Sequence, residues 1–262
     1  VTLALLALLL VTIAVLVWRA VTRDRRDYAR FKRLRSTTLR RKVFARWLIE
    51  SWVVLGGLAA ALLLAASSLV PEALQDVRGW EVLARVPWDS EGTAWVLAGV
   101  CTALLIGMVL PVLLLRGKLE EIPAVGDIRA LLPRERGELK FGAGLAVTAG
   151  IVEELMFRLA LPAVLFGVLG SGILAFLLAC VLFGLLHIYQ GPAGMVFAFV
   201  LGLVFTALYL LSGTILLPIA VHALIDLRSL VLIPVALGGA WQAGRAGQTS
   251  ATEAGAGRSV AG

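Results

Sequence analysis

The chain alternates long apolar runs with shorter polar ones. Uncharged stretches occupy residues 1–18, 51–71 and 93–115. Each meets or approaches the length of a membrane-crossing helix, roughly 20 residues rising about 1.5 Å each through about 30 Å of hydrocarbon. Residues 141–186 are apolar apart from Glu153, Glu154 and Arg158, and Gly170, Ser171 and Gly172 mark a turn that divides the run into two helices. Residues 188–221 carry no charge, too long a run for one span, with breaks at Gly191 and Pro192 and again at Ser212 and Gly213. The pattern predicts an all-α, polytopic transmembrane helix bundle. Its seven spans fall near 1–18, 47–70, 94–115, 141–168, 172–189, 193–211 and 214–236. Beyond them the chain turns rich in Gly and Ala, with Arg245, Glu253 and Arg258 as its only charges, and 237–262 reads as a disordered tail. Three parts result: 1–140 with three spans, 141–236 with the rest of the bundle, and the tail.

Composition agrees with a membrane location. Of 262 residues, 60% are hydrophobic and 16% charged, against about 45–50% and about 25% in soluble domains. So few charged groups cannot cover a globular surface in water, which excludes a soluble enzyme, a disulfide scaffold and a disordered protein. The net charge of +7 is unevenly placed: residues 19–46 hold 12 of the 24 bases with only Asp24 and Asp27 as acids. Such a block reads as a basic cytoplasmic loop beside anionic lipid. With only Tyr28, Phe31 and Phe44 as aromatics, it makes a poor base-stacking surface, and no nucleic-acid partner is expected. Placing 19–46 in the cytoplasm puts the acidic loop 71–92 outside, the mixed loop 116–140 inside, the N-terminus outside and the C-terminus inside. Residues 1–18 lack a charged leading region and a small-residue cleavage site, so they read as an anchor. Cys101 and Cys180 lie in separate apolar runs without metal-ligand spacing. No internal repeat is visible. Arg228 falls inside the last span, where it must either snorkel to the interface or mark an early helix end.

Charged side chains at bilayer depth cost about 2.5–3.5 kcal/mol each on insertion scales and ordinarily face an interior or a water-filled cavity. Here they form a compact set: Glu153, Glu154 and Arg158 in the fourth span, His187 at the end of the fifth, His222 and Asp226 in the seventh. Both histidines of the chain are in it. Glu154 and Arg158 stand four apart with the acid first, the favourable order for a helical ion pair. Phe183 shares a helix face with His187. His222 and Asp226 share one too, which lets the carboxylate fix a ring nitrogen. Glu153 is rotated by about 100° from Glu154 on a helix, so the two acids point to different sides.

These residues resemble a known family. Glu153, Glu154 and Arg158 match EExxxR, Phe183 and His187 match FxxxH, and His222 and Asp226 match HxxxN/D. In that order, each inside an apolar run, they are similar to the CPBP intramembrane proteases, which include the type II CAAX prenyl endopeptidases and the bacteriocin-processing and immunity (Abi) proteins. The resemblance covers roughly 141–230. Two positions depart from it: Leu159 stands where the family often has Gly, and Asp226 where Asn is common.

The resemblance implies an intramembrane endopeptidase in a multi-pass protein of the bacterial cytoplasmic membrane, acting on a membrane-associated peptide, prenylated or bacteriocin-like. Glu153 would activate the water, Arg158 would hold Glu154, and His187 would position the water or shuttle its proton. His222 with Asp226 would stabilise the oxyanion. The same residues also allow a metalloprotease in which Glu153, His187 and His222 hold one divalent zinc ion, since two His and one Glu are a catalytic zinc set; no HExxH is present, so the ligands would come from three helices. Two other function classes fit the polar set: a proton-coupled transporter using it as a relay, and a non-catalytic immunity protein. Tyr189 and Gln190 are expected at the cytoplasmic mouth, the tyrosine as an interfacial anchor.

Overall fold

The computed structural model describes residues 2–87, 90–114 and 125–236. The tail expected over 237–262, residue 115 at the end of the expected third span and residues 116–124 of the mixed loop lie outside these. The described residues are mostly helical and contain no strand, as lipid demands, because a helix satisfies its backbone hydrogen bonds within one segment.

The first helix, α1 (Thr2–Trp18), continues through a π-helical stretch, Arg19–Asp24, into α2 (Arg25–Lys32). After a short turn capped by Ser36, α3 (Thr37–Glu50) leads through a second π stretch, Ser51–Gly56, into α4 (Gly57–Ala66). Then come α5 (Leu69–Arg78), α6 (Glu91–Leu114) and α7 (Arg136–Glu154). A π turn, Leu155–Ala160, joins α7 to α8 (Leu161–Leu169), followed by α9 (Gly172–Leu186), α10 (Gly191–Ser212) and α11 (Leu216–Leu227). The last π stretch, Arg228–Leu232, ends in α12 (Ile233–Ala236).

Among the described residues five helices are long and apolar enough to cross a membrane: Leu3–Lys32, Thr37–Ala66, Glu91–Leu114, Gly172–Ser212 and Leu216–Ala236. The fourth is two segments in space. At its middle a 3₁₀ turn, His187–Gln190, and Gly191 at φ +79° reverse the chain, a backbone conformation that glycine adopts without steric cost. Phe183 then lies against Gly202, Cys180 against Thr206 and Phe176 against Tyr209, so α9 and α10 run antiparallel. The charged helix over 136–169 is the bundle's centre. Its residues Met156, Leu161 and Val164 are fully buried in a core that also takes Leu5 and Leu9 from α1, Leu62 from α4, and Ala175 and Ala179 from α9.

One helix pair sets the geometry of the site. Gly142, Ala146 and Gly150 repeat every four residues along α7 and are buried, forming one small-residue face that lets two backbones approach closely. A β-carbon at Gly150 would lie 2.9 Å from the Cβ and N of Ala223, and one at Gly142 would lie 2.9 Å from the Leu230 carbonyl oxygen. Helix α11 and its continuation therefore run antiparallel to α7 at near backbone contact. Gly150→Leu is expected to push the two apart and to cost about 1–3 kcal/mol, as overpacking does, measured by unfolding in detergent.

The basic segment 19–46 is a folded helical arm instead of the loop expected of it. Arg23 and Arg46 pair with Glu50 and Asp27, Arg41 pairs with Glu135, and Lys32 reaches Asp127 at 2.5 Å. Arg40 is fully buried. Its Nε lies 3.0 Å from Glu138 Oε1, its Nη2 donates to the carbonyls of Ala130 and Leu132, and its guanidinium stacks on Phe31. These contacts bind the arm to the segment that leads into α7. Arg228 begins the π stretch that follows α11, and its Nε donates at 2.8 Å to the Met108 carbonyl of α6.

Candidate active site

The close approach of α7 and α11 brings Glu154 to His222. The His222 Nδ1 lies 2.7 Å from Glu154 Oε1, and the other oxygen of Glu154 lies 3.0 Å from Arg158 Nε. The side chains of Glu154 and Arg158 are 0% and 1% exposed. The Arg158 Nε–H is not directed along the line to Oε2, so this contact is an ion pair without hydrogen-bond geometry. Arg158 Nη2 also donates to the Gly202 carbonyl at 3.2 Å. Its guanidinium sits over the rings of Phe183 and Phe205, 4.8 and 5.2 Å from their centroids, where a desolvated cation is stabilised by the ring faces.

His222 is held on every side. Phe205 stacks on it at 4.7 Å and 15°, and Phe183 meets it edge-on at 6.3 Å. Its Nε2 faces two further carboxylates, Asp226 Oδ2 at 3.7 Å and Glu153 Oε2 at 3.9 Å. The carboxylate that fixes the ring is therefore Glu154 from the facing helix, and not Asp226 from one turn along its own, as the four-residue spacing suggested. The reason is tertiary: α7 comes close enough for a direct bond at Nδ1, whereas Asp226 stays beyond hydrogen-bond distance.

His187 caps α9. Its Nδ1 lies 2.7 Å from the Phe183 carbonyl, and since a carbonyl can only accept, that nitrogen carries a proton. Nε2 is left for a partner in the cavity. The Phe183 ring, 4.7 Å away, fills the wall beside it.

Glu153, His187, His222 and Asp226 all line one cavity of about 330 Å³, within the range of small-ligand pockets. Glu154 and Arg158 lie behind it. The two adjacent acids thus have different surroundings, as their rotation along the helix predicts: Glu153 is 21% exposed and Glu154 0%. The cavity walls are otherwise largely apolar, with Trp47, Leu55, Leu145, Phe197 and Leu201 among them. Leu159 packs on the cluster of Phe176 and Tyr209 and does not line the cavity.

Among the described residues no three His, Cys, Asp or Glu side chains are grouped so as to hold a metal ion. Each histidine is fixed through Nδ1, to the Phe183 carbonyl or to Glu154, and keeps Nε2 for the cavity.

Sequence reasoning does not reveal Phe205 or the bond from Glu154 to His222. Phe205 sits in an unbroken apolar run, and the bond joins residues 68 positions apart. The Gly142, Ala146, Gly150 repeat is the signal that could have indicated the helix pair.

Fold and site together define an integral membrane helical bundle with a buried carboxylate–histidine centre opening on an internal cavity. Residues 136–228 match the family model of the Rce1-like type II CAAX prenyl endopeptidases. The match is consistent with the CPBP/CAAX protease family that the three motifs resemble, and it supports an intramembrane endopeptidase. No curated protein and no solved structure gives a significant match to the chain.

Proposed function

We propose that this protein hydrolyses a peptide bond of a membrane-associated peptide, with Glu153 as the general base. The observation that carries the reading is the division of labour between the adjacent acids. Glu153 faces the cavity together with His187, His222 and Asp226, while Glu154 is sealed behind His222 by Arg158. A base must reach its water directly, and only Glu153 of the two has that access.

Glu153 accepts a proton from water as the oxygen adds to the carbonyl carbon. His187 Nε2 holds that water. His222, fixed by Glu154 and clamped between aromatic rings, stands beside the developing oxyanion, and Asp226 borders Nε2. The proton held by Glu153 then passes to the leaving nitrogen, the C–N bond breaks, and a carboxylic acid and an amine depart. The apolar walls suit a substrate with a hydrophobic or lipidated segment, prenylated or bacteriocin-like. The basic arm 19–46 favours a cytoplasmic placement of this end of the bundle in a bacterial cytoplasmic membrane.

Water activation by glutamate needs no metal. Purified protein is expected to carry far less than one metal ion per chain and to keep its rate within about twofold after chelation, whereas a catalytic ion lowering the pKa of its bound water would be indispensable. Metal analysis and cleavage of a membrane-peptide library with and without chelator test this. Loss of activity on chelation with recovery on zinc would overturn the metal-free mechanism.

A further inference from the structure

Negative groups crowd the reaction centre. Glu153, Glu154 and Asp226 all lie within 4 Å of His222 nitrogens, and Arg158 is turned away towards Glu154 and the Gly202 carbonyl. Amide hydrolysis nevertheless creates a negative oxygen, which nearby carboxylates repel and hydrogen-bond donors stabilise. Arg19, which also lines the cavity, is paired with Asp24 and Glu50, and a hydroxyl whose proton is not already given to another group would add a donor at the reaction centre.

The hydroxyls lining the cavity can be compared. Tyr28 donates to the Asp127 carbonyl at 2.5 Å, and Ser229 donates to the Ile225 carbonyl at 3.2 Å. Tyr189 instead accepts, from Gln190 Nε2 at 2.9 Å, and among the described residues no acceptor takes its proton. Ser51 also lines the main cavity, but only Tyr189 of these four borders, with Glu153 and His187, the adjoining space of about 100 Å³ as well.

The phenol is held in place. Its ring lies 6.0 Å from that of His187 at 29°, and Tyr28 meets it edge-on at 5.3 Å. The turn that carries it is braced by the Asp127 N–H, which donates to the Gln190 carbonyl at 2.9 Å, and Tyr28 and Lys32 in turn hold Asp127. A donor fixed in advance reorganises little during reaction, the condition under which such groups contribute most.

We infer that Tyr189 is a catalytic residue whose hydroxyl donates a hydrogen bond to the scissile carbonyl oxygen as it becomes an oxyanion. The inference rests on the hydrolytic reading above. As water adds to the carbonyl carbon, the π pair moves onto oxygen, and Tyr189 keeps its proton while donating. When the carbonyl re-forms, the C–N bond breaks and the nitrogen leaves with the proton that Glu153 took from water.

The test is Tyr189→Phe, which keeps the stacked ring and removes the hydroxyl. In steady-state cleavage kcat is expected to fall by about 10²–10³-fold, the loss typical of one oxyanion donor, with KM within about twofold. Affinity for a phosphinate peptide, a tetrahedral anion mimicking the intermediate, should weaken by a similar factor. Gln190→Ala serves as a second variant if Tyr189→Phe does not fold: the phenol remains but is no longer oriented, and kcat falls by about tenfold with KM retained. Full kcat in whichever variant folds, with Glu153→Gln inactive, overturns the role of Tyr189 and leaves the hydrolytic reading standing. Activity in Glu153→Gln would instead overturn the reading on which it rests.

Discussion

Glu153→Gln removes peptide cleavage. The substitution preserves size and shape but leaves an amide that cannot take a proton from water, and general-base catalysis contributes about 10²–10⁴-fold, so kcat is expected to fall by at least about a hundredfold. The fold should survive, because Glu153 is partly exposed to the cavity and its contact with His222 Nε2 is a long one of 3.9 Å. Substrate affinity is retained. Purified wild type and variant, compared for cleavage of a membrane peptide and for thermal unfolding in detergent, give the result directly. A variant that cleaves at the wild-type rate would move the base elsewhere, whereas wild type that cleaves no membrane peptide would remove the protease reading in favour of a transporter or an immunity protein.

The second large effect is on stability. Arg158→Ala leaves Glu154 buried and without its cation, and truncating one partner of a buried ion pair costs about 3–5 kcal/mol. The change also deprives the Gly202 carbonyl of a donor and the rings of Phe183 and Phe205 of the guanidinium between them. Because the other oxygen of Glu154 holds His222, the loss reaches the site and activity falls with stability. Glu154→Gln made in the same chain removes the stranded charge, so the double variant should recover part of the loss, by a coupling of about 0.5–3 kcal/mol. Unfolding in detergent measures Arg158→Ala, Glu154→Gln and the double variant. Arg158→Ala with wild-type stability would mean the pair is no clamp.

Much of the site could be read from sequence because membrane burial makes polar residues conspicuous. Glu153, Glu154, Arg158, His187, His222 and Asp226 stand out against apolar runs, and helical spacing correctly separates the two acids onto different sides. Aromatic partners do not stand out in the same way: Phe205 stacks on His222 yet looks like any other apolar residue of its run. Tyr189 was read as an interfacial anchor, since a tyrosine at the end of a hydrophobic segment usually is one, and only the cavity beside Glu153 and His187 gives its hydroxyl a use. Arg40 belongs to the basic block that the pattern predicts to be a cytoplasmic loop. Its burial with Glu138 depends on contacts nearly a hundred residues away.

Local chemistry alone determined the helical membrane bundle, the turns at Gly170 and Gly191, and the inventory of reactive side chains. Chain hydropathy and glycine stereochemistry act over a few residues and need no knowledge of neighbours. Tertiary structure decided which of those side chains meet. The small-residue face of α7 lets α11 approach to backbone contact, and that approach makes Glu154, instead of Asp226, the partner of His222. It leaves Glu153 facing the cavity and draws the basic arm into the fold. Such pairings depend on distances between helices far apart in the chain, which no local pattern encodes.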